Sequence, residues 1–442
     1  ERASELCDIP VDTIYELAHM YAEGPSIIHI GWGVDRYSTA RYMYYATTAL
    51  SMVTGQIGKP GTGFSGCVAA QPSSRCLVGP KISRPEGVDK GPTFAAPLLY
   101  DAVTKGKYGY TDTDVNIKSI FCYVADHLGN QTNRQEMLAV FDSAEFIVAV
   151  DLIYTDTVRY ADIVLPAAHF FEVETAYEST AGVVVCNEKA IEPVGEAKPD
   201  LEIANLIAEG MGYESLTIPR EKFLTGLFEN EKAEAAGITW EILKAKKVIP
   251  FLLPDEPATY IGMHNKYGTP TGRAQFYFED IKVAHDYGQS WDKRREMLPY
   301  DWEPPYEGWT DSVGSFEKNT QAEKYPLNLL QLRNKFTIHK SFAYQPSLLE
   351  LQPEPTVALS PKDAEARGIK NGDIVKIYND RGYLVVKAII NPGTRNGTVV
   401  ISHGWEGDQF IEGHYQDLTS NRIGCIAVNN SFFDCLVEVE KM

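Results

Sequence analysis

No two of the seven cysteines stand as a CxxC pair. That absence excludes an ordinary zinc ribbon, and the usual iron–sulfur cysteine run, within these 442 residues. Cys67 and Cys76 flank a loop containing Gln-Pro-Ser-Ser-Arg and read either as free thiols or as a metal pair, free thiols being the simpler reading. The odd cysteine count favours a reducing compartment or buried thiols. Basic charge is also scarce: 41 Lys and Arg against 60 Asp and Glu give a formal net charge of −19. A chain of that sign does not track nucleic-acid phosphates. It still accommodates an anionic cofactor, because a few local donors override the global field. No apolar run reaches the length of a transmembrane helix. The dinucleotide fingerprint GxGxxG, the P-loop, HExxH, the deaminase signature and a Ser-His-Asp order are all missing. There is no internal repeat and no low-complexity tract. The chain opens on ERASELCDIP without an initiator Met, and the expectation is an N-terminally incomplete sequence whose compartment is open.

What is present is ordinary globular composition, 44% hydrophobic and 23% charged, with length for about two to four domains. Val11, Ile14, Leu17, Ala18 and Tyr21 make one face of a helix that starts at Pro10 and breaks at Gly24-Pro25. SIIHIGW then reads as a buried strand, Thr39 to Val53 as a helix capped near Gly55, and QIGKPGTGFSG as glycine-rich loop. IKSIFCYVA, a loop around Gly129, a helix through Met137 to Phe141, and EFIVAV ending at Asp151 form a βαβ unit. A further strand, Ile163 to Leu165, stops at Pro166. Residues 200 to 212 read as a helix with Asp200 as its N-cap. From about 214 to 324 the chain is polar, aromatic and proline-rich with short helices, and DYGQSWDKRREMLPYDWEPPYEGW reads as a surface wrap rather than a domain. After Tyr325-Pro326 the character changes. TVALSP, DIVKIYNDRGYLVVKAIINPG and GTVVISHGW alternate with turn residues at the spacing of an all-β barrel, with a short helix closed by Gly368.

The chemistry-bearing candidates sit at strand ends and glycine turns. Asp151 falls where the chain leaves a buried strand, the end of an open α/β sheet where ligands collect. It reads either as a ligand acceptor or as a cap for the turn from Thr155 to Ala161. Arg36 follows the turn Gly31-Trp32-Gly33 and is either an oxyanion clamp or a surface ion pair. Arg333 and His339 lie in LLQLRNKFTIHKSF, and a lone His is more often structural. Gln416 and Asn421, in YQDLTSN, suit heterocycle recognition or turn stabilisation equally well.

Taken in order, four stretches resemble the molybdopterin oxidoreductases of the dimethyl sulfoxide reductase family. They are GWGVDR with ALSMVTGQIGKPGTGF; VDLIYTDTVRYADIVLPAAHFFEVE; AIEPVGEAKPDLEIANLIAE; and LQLRNKFTIHKSF with TVALSPKDAEARGIKNGDIVKIYNDRG, HGW and YQDLTSN. The resemblance covers roughly residues 10 to 66, 118 to 212 and 325 to 435. It implies Rossmann-like three-layer α/β domains followed by a C-terminal double-psi-like β-barrel. In those terms residues 1–66 end one α/β cofactor-binding domain, 67–114 are an irregular excursion, and 115–212 form the second α/β domain with the guanine site. Residues 213–324 are an irregular connection and 325–442 the dinucleotide-binding barrel.

The resemblance further implies two molybdopterin guanine dinucleotides carrying molybdenum or tungsten, with an iron–sulfur cluster expected only in the N-terminal part such enzymes carry. It makes Asp151 the acceptor for a guanine, with Asn130 and Gln131 in the preceding loop and Asp200 supporting a nucleotide contact. Trp32 and Arg36 line the pterin and substrate side. Arg333, His339 and Ser341 match the pterin-contacting loop, and Gln416 and Asn421 fall near the second pterin. The loop VADHLGNQTNR is shorter and more polar than the family's Gly-Asn-rich version. No residue matches the metal-ligand motif, so none is named, and the 442 residues alone are expected to be inactive. The implied partners are a small-molecule substrate and an electron-transfer iron–sulfur subunit, with no nucleic acid and no membrane span. A non-catalytic scaffold that kept the fold, and a non-redox hydratase or transhydroxylase, are the competing readings.

Overall fold

The computed structural model describes residues 1–65, 76–80, 94–106, 114–179, 183–250, 267, 269–277, 305, 307, 320–423 and 430–442. The helix Val11–Glu23 leads into β1 (Ile27–His29), a short 3-10 helix Trp32–Arg36, the helix Ala40–Val53 and β2 (Gly63–Ser65). Strands β1 and β2 pair in parallel. The expected buried strand SIIHIGW is therefore a correction. Only three of its residues pair, Ile27 is 58% exposed, and Ile30 alone is buried. Its one partner among the described residues is β2, which lies inside the stretch expected to be loop. Buried Gln56 ties this block together, accepting from the Ser26 N–H at 3.2 Å and donating to the Ala22 carbonyl at 3.0 Å. Gly24 (φ 55°) makes room for it, since a Cβ there would lie 2.3 Å from the Gln56 amide.

The second block is a parallel sheet in the order β3 (Ser119–Tyr123), β4 (Phe146–Asp151), β5 (Ile163–Pro166). Alternation sorts β4 by face, as a strand buried on both sides requires. Ile147 and Ala149 join Met137, Val140 and Phe141 of the helix Arg134–Asp142 on one side. Val150 joins Ala167 and Ile203, the latter from the helix Asp200–Gly210, on the other. Three layers result. Pro166 pairs opposite Asp151 at the end of edge strand β5, a place that tolerates proline. The loop expected around Gly129 is a short helix, His127–Asn130, capped by Asp126. The N-cap of Asp200–Gly210 is Pro199, with Asp200 as the first helical residue and no side-chain cap bond.

An antiparallel sheet of β6 (Thr175–Ser179), β7 (Val183–Asn187) and β8 (Val248–Pro250) follows. The helices Arg220–Gly226, Glu231–Ala235 and Trp240–Lys246 pack on it around Val184, Leu224, Phe228, Ile238 and Leu243, with Cys76 in the same core. The part of the expected irregular connection up to residue 250 is thus a small α+β unit. The expected surface wrap, residues 286 to 309, lies outside the described residues apart from 305 and 307. So does Cys67; Cys76 is a buried free thiol.

The barrel comprises β9 (Leu327–Arg333), β10 (Thr356–Leu359), β11 (Ile374–Tyr378), β12 (Tyr383–Ile390), β13 (Thr398–His403) and β15 (Leu436–Lys441). A two-residue strand, β14 (Glu412–Gly413), adds to β12 from outside. The order β10-β13-β9-β15-β11-β12 closes through a β10–β12 pairing, so six strands leave no free edge within the ring. The pairs β10–β12 and β13–β9 are parallel and the other pairs antiparallel, the mixed closure of the expected double-psi-like barrel. Leu329, Val357, Leu359, Val375, Ile377, Leu384, Val399, Ile401 and Val437 fill it with no exposed surface. Each such side chain contributes roughly 1.5–3 kcal/mol. Among the described residues no helix is long and apolar enough to cross a membrane.

Candidate functional site

Strands β9 and β13 run parallel in a register that sets Arg333 beside His403 at their carboxyl ends. The chain leaving β9 loops back so that His339, at φ 52°, places its Nε2 3.2 Å from Arg333 Nη2. The His339 and His403 rings lie 5.1 Å apart, centroid to centroid. Arg36 joins them from the first block. Its guanidinium lies 6.0 Å from the Trp32 ring and 5.5 Å from that of Phe432, and its carbonyl accepts from the Phe433 N–H at 3.0 Å. Burial, then the charges of Arg333 and Arg36, hold His339 below the usual imidazole range. Burial, His339 and the same two arginines push His403 down to about 4. Both rings are therefore neutral near pH 7. The adjacent carboxylate of Asp35 is engaged by the Tyr44 hydroxyl. Among the described residues neither Arg36 nor Arg333 has a carboxylate partner. In a chain of net charge −19, two such guanidiniums beside two neutral imidazoles make a locally positive place whose chemistry suits an anion.

A second locus lies at the carboxyl end of the β3-β4-β5 sheet. Asp151 is half-buried and accepts from the Leu152 N–H at 2.7 Å. Burial raises its pKa; the Leu152 N–H opposes, the charge of Asp126 adds, and the Ile153 N–H opposes again. Tyr123, at the end of neighbouring β3, is held up by burial and by a hydrogen bond to Asp200. Asp151 and Asp200 thus frame one sheet end, where Tyr123, Leu152 and Tyr154 are exposed.

Between the two loci lies a buried ion cluster. Lys340 Nζ donates to Asp126 Oδ2 at 2.7 Å, Asp156 Oδ2 at 2.8 Å and Glu406 Oε2 at 2.9 Å. Burial disfavours its ammonium, but Asp126, Tyr415, Asp156 and Glu406 outweigh burial and raise its pKa. Glu406 moves the same way, up to about 7, because burial and the charges of Asp126 and Asp156 exceed the help of Lys340. The two directions are consistent, since the cation has three anionic neighbours while each anion has one cation and two like charges. Asp126 Oδ1 also accepts from the N–H and hydroxyl of Thr157 and from the Gly129 N–H, and Asp156 accepts from the Gly407 N–H. Asp126, Asp156 and Glu406 are spaced as a cation site, and the cation is the lysine. His414 Nδ1 accepts from the Gln416 N–H, so the neutral ring carries its proton on Nε2, 3.7 Å from Asp156 Oδ2.

The structure thus gathers Trp32, Arg36, Arg333 and His339 in one place and Asp151 with Asp200 in another. Ser341 is exposed on the loop beyond His339. The remaining amides lie largely along the seam between the α/β block and the barrel. Gln131 Oε1 accepts from Asn430 at 2.9 Å, Asn421 donates to Glu136 at 2.6 Å, and buried Gln416 accepts from Thr419 at 3.0 Å. Asn130 is exposed at the end of its short helix. Reasoning from sequence missed His403, Lys340, Asp126, Asp156, Glu406 and His414. Asp126 follows a strand as closely as any of the residues it did select, and that was the one signal that could have found it.

Residues 13–210 match the family model described as molybdopterin oxidoreductase, and residues 327–436 match the molydopterin dinucleotide binding domain. The putative catalytic subunit of a dimethyl sulfoxide reductase from Halobacterium salinarum is 29% identical over 425 residues, covering 95% of this chain and 47% of that protein. The dimethyl sulfoxide reductase DmsA of Escherichia coli is 26% identical, covering 100% of this chain and 57% of that protein. The chain spans about half the length of the curated relatives it matches. Among solved structures, acetylene hydratase from Pelobacter acetylenicus superposes with a TM-score of 0.57 at 23% identity, over 79% of this chain and 46% of that one, a likeness of fold.

Proposed function

The chain belongs to the molybdopterin oxidoreductase family, and from that premise we propose that it is part of a catalytic subunit holding molybdopterin guanine dinucleotide. The observation that carries the reading is the pair of guanidiniums, Arg36 and Arg333, without carboxylate partners among the described residues. Like charges brought to one place favour an anion beside them; Arg333 meets a dinucleotide's phosphates and Arg36 an oxyanion substrate. The donor set therefore fits the cofactor. In this reading Arg333, His339 and Ser341 hold one pterin, and Asp151 accepts from the ring N–H and amino group of a guanine, with Asp200 and Asn130 beside it. Gln131 belongs with Asn130 to the loop preceding the guanine site, and Gln416 and Asn421 support the second pterin.

When bound, the cofactor's molybdenum or tungsten supplies two-electron oxygen-atom or hydroxyl transfer, or dehydrogenation. The chain's own residues do the placing. Arg36, steadied between Trp32 and Phe432, orients an oxygen-bearing substrate and stabilises charge growing on the transferred oxygen. Trp32 walls that side. His403, neutral and beside His339, adds no competing charge. One of the relatives is itself a putative catalytic subunit, and we extend the reading to an electron partner in the form of a separate iron–sulfur protein.

The test is elemental and nucleotide analysis of the complete protein. Stoichiometric molybdenum or tungsten, with guanosine monophosphate released on acid hydrolysis, is the expected result. A folded protein without either is the scaffold reading's outcome and overturns this one.

A further inference from the structure

We propose that Lys340 is a positioning residue: its buried ammonium pins the barrel's loop to the carboxyl end of the β3-β4-β5 sheet and so aims His339 at Arg333 and His403. This rests on the reading of that cationic cluster as the anion receptor.

The geometry of the pin is complete. An ammonium has three hydrogens, and here all three are used, at 2.7, 2.8 and 2.9 Å. Two of the acceptors, Asp126 and Asp156, follow β3 and β4 of the α/β block, while Glu406 follows β13 of the barrel. Backbone is cleared around the pin. A Cβ on Gly129 would come 1.9 Å from the Lys340 nitrogen, and one on Gly407 would come 2.5 Å from Asp156. Tyr415 reaches across the same seam to the Gly129 carbonyl at 3.4 Å.

Consecutive residues then divide their duties. Lys340 is 6% exposed and points into the cluster, while His339 is exposed and meets Arg333. That reversal requires the left-handed backbone of His339, φ 52°, a conformation few non-glycine residues adopt without being held. Two contacts hold it. Behind His339, Gly404 packs so close that a Cβ would lie 2.1 Å from the His339 carbonyl oxygen. Ahead of it, Lys340 is fixed at three points. On the loop's outer face the Ser341 N–H donates to the Ile338 carbonyl at 3.0 Å, a contact within the loop that cannot stand in for the pin once it is released. Anchoring residues that touch no ligand act through those that do, typically on the order of tenfold or more in ligand retention.

The experiment uses the complete protein with its cofactor, carrying labelled histidines. Lys340→Met removes the pin at similar length. Lys340→Met with Asp126→Asn removes a carboxylate as well, so that a loss of stability from uncompensated charge is relieved. In whichever variant folds, His339 is expected to titrate closer to its ordinary value as its contact with Arg333 is lost. Bound metal and guanine nucleotide fall on the order of tenfold. A folded variant in which His339 titrates as in the wild type overturns the proposal. Release of His339 with wild-type cofactor content leaves the pin standing and overturns the anion-receptor reading instead. A third measurement needs no variant. In native-state hydrogen exchange of the wild type, segment 338–343 is expected to open together with the amides of Gly129 and Thr157. Opening of that segment while those two amides stay protected also overturns it.

Discussion

Replacing Glu406 by Gln offers the sharpest check on the buried cluster, because the expected effect has a sign that ordinary acidic residues do not show. Glu406 has no exposed surface. Its Oε2 takes the Lys340 ammonium at 2.9 Å and the Asp156 N–H at 3.1 Å, and its Oε1 is buried without a partner. An orphaned oxygen costs more as half of an anion than as a neutral hydroxyl. Asp126 and Asp156 add like charge, and together these push the group from an ordinary 4.5 to about 7. Because the folded value lies above the unfolded one, the folded protein binds more protons between those limits. The contribution of Glu406 to stability is greatest below about 4.5 and is lost as pH rises through about 7. At about 1.4 kcal/mol per pH unit, the change between pH 5 and pH 8 is about 2.5 kcal/mol.

The histidines work in the opposite direction. His403 and His414 are held neutral when folded, so both favour unfolding as pH falls below about 6.5. They are common to wild type and variant, and the difference between the two proteins isolates Glu406. Urea titrations of the complete protein and its Glu406→Gln variant at intervals from pH 5 to pH 8 supply that difference. The wild-type midpoint is expected to fall steadily relative to the variant's over the series, by that free-energy change divided by the slope of the titrations. Parallel profiles would refute the reasoning. A wild type that gains on the variant as pH rises would mean that the Lys340 ion pair, not burial and like charge, dominates at Glu406.

Further outcomes follow from the other loci. In the complete protein, Asp151→Asn turns an amide donor toward the guanine donors, at a cost of about 1–3 kcal/mol; bound guanine nucleotide is expected to fall, and wild-type content refutes the assignment. Arg36→Ala is expected to keep fold and cofactor but lose on the order of a hundredfold in turnover, with Arg36→Lys recovering only part because a point charge replaces a planar fork. Wild-type turnover in the alanine variant, with metal in place, would make Arg36 a bystander. Gly404→Ala sets a methyl 2.1 Å from the His339 carbonyl at a backbone φ of 103°. It is expected to lower the thermal midpoint and to disturb His339 titration together, and a folded variant with unaltered His339 counts against the tight loop packing.

The barrel was legible because its information is local. DIVKIYNDRGYLVVKAIINPG alternates apolar and polar residues across a turn, and those residues become β11 and β12 in that register. Strand β4 was legible for the same reason, as an uninterrupted apolar run covered on both faces. The α+β unit was not, because β6 carries only Ala176 and Tyr177 as apolar signal, Tyr177 is 42% exposed, and its core joins Cys76, Val184 and Leu243 from distant segments. Lys340 was the least legible of all. A lysine between two selected residues reads as a solvated charge, and its three acceptors lie 214, 184 and 66 positions away. The rule that ligands gather at the carboxyl ends of parallel strands did point to this place, since Asp126 follows β3 as Asp151 ends β4. What the rule lacks is a means of telling which carboxylates face a ligand and which face the next domain. Here burial divides them: Asp151 keeps access to solvent, whereas Asp126 and Asp156 are sealed around an ammonium. Strand-end carboxylates therefore serve two ends at once, recognition at the rim and assembly beneath it. A single sequence reveals the second only when the lysine's partners have been found.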